Sequence, residues 1–358
     1  MAAIMSKTII WFILSFSVVF SSAPNPLKYA KPKLSDYGFF KDRMADHIPA
    51  EGVIPYSVSA QLFSDYALKS RFIVLPEGQR LQYKSDGSFD FPQGSVLIKT
   101  FYYPADFGNP NQEIKLMETR LLTHTPEGWM GFAYVWNETQ TEAYLEIAGE
   151  RLPVSFIHSD GEKIELEYSV PNFNQCKGCH VNQNQMIPIG PKVRLLNHEF
   201  EYPDGKMNQL KKWNILEMIN GLPNLSTLPH TPDYDDPLEG SIAERSRAWI
   251  DINCAHCHRL GAPGETSGLF LNIEENDPTR LGIFKPPVAA GRGSGNMRYT
   301  IVPGNPEESI MVYRMESTDP GIMMPELSRK LVHKEGCLLY TSDAADERSS
   351  VDLGGRRI

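Results

Sequence analysis

The 358-residue chain has only five cysteines. Four sit in two short motifs, CKGCH at 176–180 and CAHCH at 254–258, and the fifth is Cys337. An exported protein stapled by disulfides would show further paired cysteines, so a disulfide framework is excluded. Excess positive charge is absent too: 35 Lys and Arg stand against 44 Asp and Glu, a formal net charge of −9. No surplus of cations remains to neutralise phosphates, which argues against a nucleic-acid partner. Internal repeats and low-complexity tracts are missing. Only one long hydrophobic run occurs, IIWFILSFSVVF at 9–20, and it is shorter than the roughly 20 residues of a membrane span. At 41% hydrophobic and 22% charged, the chain has the make-up of a soluble globular protein with room for two domains.

The ends differ from the middle. Lys7, the apolar run and the small residues Ser21, Ser22 and Ala23 describe a secretory signal peptide over residues 1–23. An uncleaved N-terminal anchor is the alternative. The expectation is an exported chain, periplasmic or extracellular, whose mature form does not span a membrane. At the other end, CLLYTSDAADE at 337–347 resembles translated sequencing-adapter sequence. Residues 337–358 are therefore expected to be an artefact, and a closing helix after Gly336 is expected to be missing.

Residues 24–170 read as a β-rich domain. Short runs rich in Val, Ile, Tyr, Phe and Thr, such as RFIVLP, SVLIKTFYYP and WMGFAYVW, are separated by turn signals at 85–87, 125–128 and 159–161. Hairpins are expected around Asp86-Gly87 and Asp160-Gly161. The spacing predicts an antiparallel β-sandwich or barrel-like domain. Trp129, Tyr134 and Trp136 fit a ligand groove or, more commonly, a β-domain core. Residues 171–240 form a segment and connector around the first motif, with helical spacing over 208–220. Residues 241–336 read as mainly α: Ser241 and Glu244 make a helix start, and PEESIMVYRME at 306–316 places Pro at the first turn of another helix. The fold class is thus an α+β multidomain chain.

Cysteines at i and i+3 lie on one face of a helical turn, and the histidine at i+4 projects beside them. That suits covalent haem attachment, with two thioether links to the porphyrin edge and an imidazole on the iron. Cys176, Cys179, Cys254 and Cys257 are then the attachment points of two covalent haems c, and His180 and His258 the proximal iron ligands. The rival use of paired CxxC is zinc; these pairs lie farther apart in sequence than in compact zinc modules, and zinc needs no histidine after each pair. A thioredoxin-type redox motif lacks its βαβ surroundings here.

Ile242 to Leu331 resembles a small class I c-type cytochrome domain: a helix before CAHCH, Gly- and Pro-rich loops, a helix beginning PEESIM, then MMPEL. In that family the sixth iron ligand is a methionine just before a proline. The resemblance implies Met324 as the distal ligand of the second haem, with Met323 as fallback and core filling as the bland alternative for both. More widely, residues 45–336 resemble a family of bacterial exported proteins that join a β-rich part to a cytochrome-like part. The matching stretches are QLFSDYALKSRF, LIKTFYYP, YVWNETQTEA, NQCKGCH, IGPKVRLLN, DINCAHCH and PPVAAGRGSG. This implies haem binding and electron transfer, without an established substrate. Opposite His180 stand Met186, Met207, His198 or an open position. Arg194, Arg292 and Arg298 are candidates for pairing with haem propionates. The expected function is single-electron transfer to a redox partner protein. The alternatives are a peroxidase-like dihaem oxidoreductase, or a secreted module whose β-domain binds a polysaccharide or protein.

Overall fold

The computed structural model describes residues 26–327 and 329–341. The expected signal peptide and all but the start of the adapter-like tail lie outside them. Six strands form the main sheet: β1 (Val53–Tyr56), β2 (Leu68–Val74), β3 (Val96–Pro104), β4 (Ile114–Thr125), β5 (Gly128–Trp136) and β6 (Ala143–Glu146). Each pairs antiparallel with the next, an up-and-down meander. The sheet is open, so the barrel form of the expectation does not arise. Its β6 edge is covered instead by the N-terminal segment: Leu34 N–H donates to Ala143 O at 2.9 Å and Leu145 N–H to Pro32 O at 3.0 Å. A covered edge needs no closure.

A hairpin, β7 (Glu150–Ile157) and β8 (Lys163–Val170), turns at Asp160-Gly161 as expected. Strands Leu81–Tyr83 and Phe89–Asp90 likewise pair across Asp86-Gly87. Alternation along the strands sends side chains to two faces. One face packs Phe72, Ile98, Phe132, Tyr134 and Trp136 against Leu34 and Phe39. Tyr134 and Trp136 are therefore core residues, while Trp129 stacks on His124 with ring centroids 4.7 Å apart. The opposite face meets the β7–β8 hairpin at one end, through Phe101, Phe156 and Tyr168. At the other end Ile73, Leu97 and Leu122 join Trp213, Trp249, Ile252 and Met315 in one cluster. That core runs across residues 170 and 240, where the sequence suggests boundaries.

The longer helices of the rest include α1 (Phe173–His180), α2 (Gln209–Ile215), α3 (Ile242–Cys254) and α4 (Ile310–Glu316). The helix expected over 208–220 stops early because residues 219–220 pair with Leu81 and Gln82. α3 begins at the expected Ser241/Glu244 capping box. Around Pro306 the chain makes only a 3-10 turn, and extended Ser309 delays α4 to Ile310. Residues 334–341 are helical and lie against α3. Cys337 and Tyr340 are buried there, and a Cβ on Gly336 would collide with Trp249 Nε1. Among the described residues no helix is long and apolar enough to cross a membrane.

Candidate cofactor site

The CKGCH residues end α1, whose start is held by a capping box between Asn172 and Gln175. α1 lies on β5 at Gly131, where an added Cβ would stand 3.1 Å from Met186 Cε and 3.3 Å from Cys176 Cβ. Glycine there lets helix and sheet approach closely. In the second motif Cys254 is the last residue of α3, and the turn continues: Cys257 and His258 N–H both donate to Cys254 O, at 3.1 and 2.9 Å.

A cavity of about 500 Å³ opens at the second motif, within the range of about 300–1,000 Å³ usual for cofactor sites. Cys254, Cys257, His258 and Met324 line it, with Leu271 and Ile310 among the apolar wall residues. His258 Nδ1 lies 3.1 Å from Ser267 Oγ. That hydroxyl already donates to Gly264 O at 2.6 Å, so it accepts from Nδ1–H and leaves Nε2 with a free lone pair. Burial, then His256 and Arg314, push the His258 pKa down to about 4, so the ring is neutral at pH 7. Met324 lines the cavity, whereas Met323 is buried and does not line it. Met311 and Met315 also reach the wall. The Met324 loop is held by Arg329, whose guanidinium donates to Met324 O at 2.8 Å, Ser317 O at 2.9 Å and Arg314 O at 3.1 Å.

The first motif has a smaller cavity, about 200 Å³, between α1 and the sheet. Cys176, Cys179, His180 and Met186 line it. His180 repeats the arrangement of His258: Nδ1 sits 2.8 Å from Ile187 O, a pure acceptor, so Nδ1 carries the proton and Nε2 is free. Burial is the main cause that takes its pKa down to about 4. Of the distal candidates only Met186 is brought to this cavity. His198 Nε2 is 2.8 Å from the Gln209 amide, and Met207 lies on a separate hairpin, Glu199–Tyr202 with Gly205–Asn208. None of the three arginines suggested by sequence lines either cavity. Arg194 is buried against Asp251 at 2.6 Å, Arg292 pairs with Asp319 at 2.7 Å, and Arg298 is exposed. Arg71, Lys99 and Arg120 occupy the wall of the first cavity instead.

The two motifs meet. Cys179, His256 and Cys257 bring a sulfur or ring nitrogen each to within 4.8 Å of one another. Cys179, His256 and Leu327 form a wall common to both cavities. The Cys257 S–H donates to Gly178 O at 3.6 Å; the closeness of the two thiols holds the Cys179 pKa low and that of Cys257 high, and His256 adds to the first effect. Burial pushes the Cys254 thiol up to about 12 and also raises Cys176. His256 carries no signal in the sequence, because it occupies a variable position inside CAHCH. Arg71, Lys99 and Arg120 become neighbours only through strand register, although a cation two residues from Leu97 on an apolar strand is a usable signal.

The donor set suits haem c at the second motif: paired thiols, a neutral imidazole with Nε2 free, and a thioether on one cofactor-sized cavity. At the first motif the donor types are the same, but the cavity of about 200 Å³ falls below the usual cofactor-site range. No family model, curated protein or solved structure matches the chain.

Proposed function

We propose that the chain is an exported dihaem c-type cytochrome that passes single electrons between redox partner proteins. The observation that carries this reading is the repeated imidazole arrangement. At each motif Nδ1 is committed to an oxygen acceptor and Nε2 is left unprotonated beside two thiols.

In this reading Cys176, Cys179, Cys254 and Cys257 hold two porphyrins by thioether bonds. His180 and His258 would each supply an imidazole nitrogen to an iron, and Met324 would supply a thioether to the second. When bound, haem supplies a one-electron couple, and a soft thioether ligand raises its potential. The chain's contribution is to keep the imidazoles neutral, exclude water with Leu271 and Ile310, and hold the Met324 loop through Arg329. Cys179 and Cys257 sulfurs lie within 4.8 Å of one another, which supports exchange between the two centres over independent action. The stretch 242–331, with α3, α4 and the loops between, is the cytochrome-like part, and the open sheet covers the first motif.

A second reading has its own observation. Cys179, His256 and Cys257 suit one structural metal ion with a fourth ligand from elsewhere. Spin state and metal content separate the readings. Purified exported chain is predicted to carry two six-coordinate low-spin haems and no zinc. One high-spin haem with peroxide turnover would assign a peroxidase-like enzyme; bound zinc without haem would assign the metal site.

A further inference from the structure

Three cations lie side by side on adjacent strands at the floor of the first cavity. Arg71 on β2 is directly opposite Lys99 on β3, and Lys99 is directly opposite Arg120 on β4. All three side chains line the space beneath Cys176 and Cys179. Like charges directly opposite on neighbouring strands repel, and cations removed from water cost more unless they are paired. Pairing here is incomplete. Glu118 takes Arg120 in a two-point contact at 2.5 and 2.9 Å, and its remaining capacity goes to Tyr168 Oη–H at 2.5 Å. Arg71 is only 7% exposed, and its side chain donates to the neutral Gln61 amide at 3.3 Å. Lys99 has the ring of Phe101 at 4.9 Å, and neither Arg71 nor Lys99 makes an ion pair among the described residues. Lys69 adds a fourth cation on the same face, spent on Ala67 O at 2.8 Å. Burial first, and the neighbouring cations second, hold the Lys99 ammonium well below the ordinary lysine range.

A sheet that places three cations in one row against a single carboxylate is built to receive negative charge from outside the chain. We propose that Arg71, Lys99 and Arg120 form an anion site for a carboxylate-bearing ligand held between the sheet and the CKGCH helix. Strands about 4.8 Å apart make the row roughly 10 Å long, enough for two carboxylates on one small frame. Two sources carry that chemistry: the propionates of a porphyrin attached at Cys176 and Cys179, or a free organic diacid. The first source rests on the haem reading above and the second does not.

The test uses the full exported chain, with succinate as the free diacid probe and neutral succinamide as its control. If porphyrin carboxylates hold the row, Lys99→Met lowers the midpoint potential of one haem and leaves the other unchanged. Lys99→Arg restores it, and succinate does not bind. If a free diacid is the ligand, calorimetry detects succinate but not succinamide, and Lys99→Met weakens binding at least tenfold. The succinate arm is read on the unsubstituted chain, so it stands even where a variant does not fold or where no haem is attached. Unchanged potentials in Lys99→Met together with no succinate binding would overturn the anion site.

Discussion

At the residue scale, the chemistry turns on which atom of each imidazole is left free. Ser267 fixes the tautomer of His258 by accepting from Nδ1. Such an outer partner also makes the ring a better donor. Ser267→Ala should therefore raise the midpoint potential of the second haem, because a weaker donor favours the reduced iron; potentiometry of the matured protein checks this. Met324 and Met323 are neighbours with different surroundings, one on the cavity and one in the core. Met324→Ala should abolish the sulfur-to-iron charge-transfer band of the second haem, while Met323→Leu leaves it in place. A pH effect follows from histidines outside the two motifs. Burial holds His47 and His333 down at about 4, below the ordinary 6.5 of the unfolded chain. As pH falls below 6.5 the unfolded chain binds protons that the folded one refuses, so stability is lost between pH 6.5 and 4. The full loss is on the order of 3 kcal/mol per histidine. Urea midpoints at pH 7 and pH 4.5 measure it, and His333→Asn should flatten part of the slope.

At the element scale, the motifs depend on where α1 and α3 begin and on what they touch. The Ser241/Glu244 box starts α3, so Ser241→Ala should cost about 1 kcal/mol in chemical denaturation. Gly131 sets how closely α1 approaches β5. Gly131→Ala would press on Cys176 and Met186, and a loss of about 1–3 kcal/mol is expected. These two positions also mark what could and could not be foreseen. Ser241 and Glu244 were legible because a cap is chemistry between residues three apart. The turns at Asp86-Gly87 and Asp160-Gly161 were legible for the same local reason. Gly131 gave no warning, because its role appears only when α1 is laid on β5. Nor did the open sheet, since whether strands close depends on the segment that covers β6. The cation row stayed hidden for a related reason: Arg71, Lys99 and Arg120 become neighbours only through strand register.

At the scale of the whole molecule, sheet and helices share one core, and that places the motifs back to back. Tyr56, Ile73, Leu97 and Leu122 from the sheet pack with Trp249, Ile252 and Met315. The buried Arg194–Asp251 pair adds a tie: Asp251 also accepts from Ile273 N–H at 2.9 Å and so anchors the loop after CAHCH to α3. With the two halves fixed in this way, Cys179 and Cys257 come within 4.8 Å, although CKGCH and CAHCH are distant in sequence. The cysteines and histidines were readable as a repeated motif, but their meeting was not. The most direct measurement is the haem-to-chain ratio of denatured protein after export through a cytochrome-maturation system, read as the pyridine haemochrome. Two covalent haems per chain are predicted. A colourless chain from the same system would contradict the account.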